Sequence, residues 1–237
     1  MPTSRARKSP ALVRQARESL QDDIYDRIYG AILEHRLLPG TKLVEERLAE
    51  IFGVSRARIR DVLSRLAHEQ IVELFPQRGA FVAKPSIEQA MDVFEARRLI
   101  EPAVVRRLID TLTPERLARL RQHCGMEQDA HERDDQRAIV RLSGEFHTLL
   151  AELAGNAMFT RQMRELSTLT CLIIVLYDAP TATSCRADEH AHITQAIASR
   201  DAAKAEALML QHLEHIEQSL KLEPATSDVD LAAIFGK

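Results

Sequence analysis

The chain of 237 residues is long enough for one large or two modest domains, and its 45% apolar and 28% charged residues give an ordinary soluble, globular balance. The cysteines Cys124, Cys171 and Cys185 form no CxxC pair and are odd in number, which disfavours a disulfide framework and fits a reducing compartment. A net charge of −3 argues against indiscriminate nucleic-acid binding, yet residues 1–84 hold 15 Lys+Arg against 11 Asp+Glu, while the remainder hold 17 against 24. That asymmetry points to a basic binding module joined to an acidic domain with another task.

Residues 1–20 read as a flexible basic arm. Arg5, Arg7 and Lys8 are not followed by the apolar stretch of a signal peptide, and the longest apolar run, Cys171 to Tyr177, is far short of the roughly 20 residues that span a bilayer. The expected location is cytoplasmic, with no membrane contact. From Asp22 the positions Ile24, Ile28, Ala31 and Ile32 recur at helical spacing, and Pro39-Gly40 ends that helix. A second helix spans about Val44 to Phe52, with Leu48 and Ile51 inward and Gly53 at its end. Ser55 then stands where an N-cap is expected, before the stripe Ile59, Val62, Leu63 and Leu66. On this third helix Arg56 and Arg60 flank one side of the stripe and Arg58 with Arg65 the other, with small Ala57 and Ser64 between. Such a helix can enter a groove of double-stranded DNA. Ile71–Phe75 and Ala80–Ala83 read as two strands of a hairpin, with Arg78-Gly79 at the tip where backbone can approach a phosphate chain.

The expected fold is mainly α. A winged helix-turn-helix over 21–84 precedes an antiparallel all-helical bundle over 85–222, then a tail over 223–237. The bundle helices are expected at 87–111, 114–133, 136–154, 157–178, 185–199 and 201–222. His147, His190 and His212 sit on helices in apolar company, so they supply either a three-nitrogen metal site or hydrogen-bonded core residues.

The stretch LVEERLAEIFGVSRARIRDVLSRLAHEQIVELFPQRGAFV resembles the winged helix-turn-helix of the GntR superfamily of bacterial transcription regulators. LSGEFHTLLAELAGN, EHAHITQAI and DAAKAEALMLQHL resemble the FCD effector domain of its FadR-like branch. The resemblance implies DNA contacts from Ser55, Arg56 and Arg60, with Arg78 and Gly79 in the wing. The chain departs from the family at Ala57-Arg58-Ile59, where Thr-Pro-Val is usual, and at Gln70, where Gly is usual. Arg58 joins the candidate DNA contacts and could alter operator preference.

For the effector domain, the resemblance implies metal ligands at His147, His190 and His212, with Ser143 where the family has an aspartate and His192 outside the set. It further implies a homodimer on a palindromic operator and a small organic-acid effector bound to the metal. Zinc is the first choice from histidine ligation, with nickel or manganese as alternatives. Arg97 either binds the effector carboxylate or pairs with Glu101 at i+4, and Asn156 matches the family or simply caps a helix. Competing functions are a metal-dependent hydrolase, disfavoured because HExxH is absent and Glu145 faces away from His147, and a DNA-binding protein whose histidines are merely core.

Overall fold

The computed structural model describes residues 10–177 and 188–222, with side chains from residue 20 onward in those ranges. Residues 1–9 of the expected arm, Cys185 and the tail from Glu223 lie outside the described residues.

The first helix, α1 (Pro10–Leu33), begins well before Asp22, so residues 10–19 are helical backbone rather than arm. It buries Ile24, Ile28, Ala31 and Ile32, the apolar repeat visible in the sequence, together with Tyr25. After a turn at Pro39-Gly40 come β1 (Lys42–Leu43) and α2 (Glu45–Phe52). Gly53 closes α2 at φ +65°, a left-handed position that glycine occupies without steric cost. In α2 the inward residues are Ala49 and half-buried Leu48, while Ile51 is 59% exposed, contrary to expectation. A helix of only two turns offers one narrow buried stripe, and Ile51 falls outside it.

Helix α3 (Arg56–His68) starts where Ser55 accepts from the Arg58 backbone N–H, and it buries Ile59, Val62, Leu63 and Leu66. The wing strands β2 (Val72–Phe75) and β3 (Gly79–Val82) pair antiparallel, with Glu73 opposite Phe81. Strand β1, not expected from sequence, adds to β3 with Leu43 opposite Ala80, making a three-stranded sheet ordered β1-β3-β2.

The bundle comprises α4 (Ile87–Asp110), α5 (Pro114–Glu132), α6 (Gln136–Leu153), α7 (Ala157–Tyr177), α8 (Glu189–Ala198) and α9 (Ala202–Ser219). Side-chain caps fix the starts of several of them. Ser86 forms a capping box with Gln89, Thr113 caps α5 with Pro114 at its first position, and Asn156 Oδ1 accepts from the Met158 and Phe159 N–H groups.

One apolar core fills the bundle and a second fills the winged module. Leu172 of α7 belongs to the second, so packing crosses the boundary at residue 84. Within the bundle, Gly144 on α6 lets α7 approach closely, because a Cβ there would lie 2.9 Å from Cys171 Sγ.

Candidate metal centre and nucleic-acid interface

Helices α6, α8 and α9 each deliver one histidine to the same interior point. His147, His190 and His212 are all buried, and their ligand atoms lie within 4.8 Å of one another. His212 Nε2 is 3.2 Å from His190 Nε2 and 3.3 Å from His147 Nε2. On the outer edge of each ring stands a carboxylate. Glu101 of α4 is 2.6 Å from His147 Nδ1, Glu127 of α5 is 2.7 Å from His190 Nδ1, and Glu189 is 2.7 Å from His212 Nδ1. An ionised carboxylate only accepts, so each Nδ1 carries the proton and each Nε2 turns a lone pair inward.

The charge balance supports this assignment. Burial works to raise the Glu101 carboxyl, but Arg97 and His147 outweigh it and hold the group at about 2. Burial pushes His147 down to about 4 and His212 down to about 3, so both are neutral at neutral pH. Lone pairs converging at these distances repel unless a cation lies between them. A tetrahedral ion with metal–nitrogen bonds of about 2.0–2.1 Å needs ligand nitrogens about 3.3–3.4 Å apart, close to the two separations from His212. Phe146 holds the His190 ring by stacking at 4.0 Å.

Around this centre, Ser143 is buried one turn before His147 on α6. Arg97 is 1% exposed, donates to Glu101 at 2.5 Å and to Thr170 at 3.0 Å, and keeps a buried Nη2 without a hydrogen-bond partner among the described residues. Its ion pair with Glu101 and a spare N–H edge for a ligand therefore coexist. His192 is exposed and lines a 170 Å³ cavity that reaches His212, so it stands at the approach rather than among the converging nitrogens. Glu145 pairs with Arg141 at 2.9 Å, away from the histidines. The roles of Glu127 and Glu189 are missed by sequence reasoning. Glu189 had a signal in its adjacency to His190, whereas Glu127, 63 positions distant, had none.

The candidate DNA-facing arginines occupy the exposed side of α3. Arg60 pairs with Glu45 at 2.7 Å, and Arg56 lies 3.9 Å from the same carboxylate, so α2 aims the flank the two arginines share. On the other flank Arg65 is taken by Asp22 at 2.7 Å and by the Tyr25 ring, leaving half-buried Arg58 as that flank's candidate contact. At the wing, exposed Arg78 lies over Phe75 and Phe81, and Gly79 takes φ +95°. Gln70 occupies a left-handed φ of +55°, which accounts for the glycine usual at that position.

Among the described residues no helix is long and apolar enough to cross a membrane. Comparison with known proteins agrees with both halves of this description. Residues 20–82 match the family model for bacterial regulatory proteins of the gntR family, and residues 92–215 match the FCD domain. The chain is 28% identical over 205 residues to the HTH-type transcriptional repressor RspR of Escherichia coli K12, covering 86% of this chain and 90% of the relative. It is 28% identical over 204 residues to the HTH-type transcriptional regulator LutR of Bacillus subtilis, covering 78% and 93%. Among solved structures, Escherichia coli McbR/YncC shares the fold with a TM-score of 0.73 at 18% identity, over 84% of this chain and 95% of that one. The relatives are transcriptional regulators rather than enzymes, and this chain belongs to the GntR family of DNA-binding transcriptional regulators, with an FCD domain as its second half.

Proposed function

We propose that the protein is a homodimeric, ligand-responsive regulator whose operator affinity is set by a small carboxylate bound at a metal centre in the FCD domain. The observation that carries this reading is the convergence of three buried Nε2 atoms, each ring backed by its own carboxylate. His147, His190 and His212 would hold a divalent ion, zinc by preference and nickel or manganese as alternatives, leaving a coordination position open to an anion. The ion would supply a Lewis-acidic anchor for the effector carboxylate. Ser143, at the family's aspartate position, brings no charge, so the carboxylate of a ligand is the natural group to complete the shell. Arg97 contributes its unpartnered Nη2 as a second, charge-assisted donor.

On the DNA side, Ser55, Arg56, Arg58 and Arg60 of the recognition helix and Arg78 with Gly79 of the wing would contact the operator. A two-fold dimer reads a palindrome with half-sites about one helical turn apart. The effector changes DNA affinity only insofar as it binds the DNA-competent and DNA-incompetent arrangements unequally.

The test is thermal unfolding of metal-stripped and zinc-loaded protein against a panel of small carboxylic acids, with operator binding by fluorescence anisotropy in parallel. A ligand at 100 times its dissociation constant stabilises by about 2.7 kcal/mol, or roughly 5–11 °C for a protein of this size. A midpoint shift from one acid that requires metal, and that also moves operator affinity, supports the reading. Metal-loaded protein that responds to no acid removes the sensor half and leaves a DNA-binding protein with a histidine core.

A further inference from the structure

A second cavity, of about 910 Å³, lies between α1 of the winged module and helices α6 and α7 of the bundle. None of the three histidines, nor any of their carboxylates, lines it. Its volume is within the range of about 300–1,000 Å³ usual for small-molecule sites. We propose that this cavity is a separate binding site for a small organic anion carrying a carboxylate or phosphate group, and that its occupant ties the DNA-binding module to the effector domain.

Four carboxylates (Asp26, Glu34, Glu145 and Glu152) and four guanidiniums (Arg27, Arg36, Arg141 and Arg164) line the wall, so the ligand's sign turns on which of them are left unpaired. Glu34 and Glu145 are engaged by Arg36 and Arg141, and Glu152 lies 3.7 Å from Arg119. Two lining guanidiniums remain without a carboxylate at ion-pair distance among the described residues, against one lining carboxylate, exposed Asp26, without a cation at that distance. Exposed Arg27 lies over the Phe52 ring at 4.8 Å, and half-buried Arg164 lies over the Tyr29 ring at 5.6 Å. The Tyr25 hydroxyl donates to the Glu69 carboxylate, and both lie near enough to Arg164 to favour its charged form against burial. A partly desolvated guanidinium with no carboxylate at ion-pair distance among the described residues keeps a planar fork of donors for an incoming anion.

Thr148 supplies an independent observation. It lines the cavity, is 8% exposed, and its Oγ1 has no hydrogen-bond partner among the described residues. Buried hydroxyls are rarely left unsatisfied, and this one can donate to an anion's oxygen. Beside it stands His123, whose Nε2 is committed to the Leu142 carbonyl at 2.9 Å. An anion held by Arg27 of α1, Thr148 of α6 and Arg164 of α7 would touch both halves of the molecule at once. Any difference in its affinity between two placements of the winged module then becomes a difference in operator affinity.

The site is tested in protein stripped of metal and returned to metal-free buffer, so that the histidine centre cannot respond. Succinate and inorganic phosphate are titrated separately at matched ionic strength, with heats of binding and thermal midpoints recorded. We expect a saturable response to at least one of them, with apparent affinity reduced at least tenfold in Arg164→Gln and in Thr148→Val. A response to succinate alone identifies carboxylates as the ligand class, and a response to phosphate alone identifies phosphate compounds. Thr148→Val removes a hydroxyl that bonds nothing in the free protein, so its ligand-free midpoint should hold, separating lost binding from lost fold. No saturable response to either anion, a response that survives both substitutions, or one that appears only after metal is restored overturns the site.

Discussion

Replacing Glu101 by glutamine alters two interactions at once, and the geometry says how each should respond. The carboxylate is 2% exposed, accepts from Arg97 Nε at 2.5 Å and lies 2.6 Å from His147 Nδ1. Glutamine keeps the shape but leaves the Arg97 charge buried without a counterion. Breaking a buried ion pair from one side costs about 3–5 kcal/mol. With a urea slope of about 2–3 kcal/mol per M, the unfolding midpoint should fall by about 1–2.5 M. The same change weakens the group that fixes the His147 tautomer, and losses of this kind lower metal affinity about 10–100-fold. The double variant Glu101→Gln/Arg97→Met separates the two effects. It removes the orphaned charge and should recover part of the stability, without restoring metal affinity. Urea unfolding at constant slope and a zinc competition isotherm measure both quantities. If Glu101→Gln leaves the midpoint and the isotherm at wild-type values, the carboxylate neither balances Arg97 nor orients His147, and the account of the centre fails.

Further outcomes follow from other residues. Arg56→Ala and Arg60→Ala should each weaken operator binding at least tenfold without unfolding the protein, and each lost phosphate contact lowers the salt slope by about 0.9; operator DNA recovered by in vitro selection provides the assay, and unchanged binding would remove that flank of α3 from the interface. Gln70→Gly should raise stability by about 0.5–1 kcal/mol, because relief of a left-handed strain of about 1–2 kcal/mol exceeds the added chain entropy of glycine; a lowered urea midpoint would show that Gln70 holds a stabilising contact. In metal-free protein, His147 and His212 are depressed to about 4 and 3 and Glu101 to about 2. In all three cases the unfolded chain takes up protons first, so their stability is complete above about pH 6.5 and drains away as pH falls through those values. A urea midpoint that stays flat from pH 7 to pH 3 would contradict the burial of these groups.

Much of this architecture was legible in the chain itself, because it is written in local signals. The stripe Ile59, Val62, Leu63, Leu66 and the cap at Ser55 specify α3, and Thr113-Pro114 and Asn156 place the starts of bundle helices. Periodicity also placed His147, His190 and His212 on helices in apolar company, and resemblance selected them over His192. Their convergence on one point, however, depends on how α6, α8 and α9 pack, over separations of 22 to 65 residues. The carboxylate behind each imidazole is likewise a tertiary fact, since Glu127 is 63 residues from the ring it holds. Strand β1 escaped notice because two residues carry no period, and its existence depends on β3 offering a free edge. Ile51 was misplaced because an eight-residue helix turns its apolar residues over more arc than its neighbours cover. Sequence thus determined which helices form and which residues each carries, since those follow from contacts within a few turns. Only tertiary packing decided which side chains meet, because burial, lone-pair direction and charge balance arise between segments far apart in the chain.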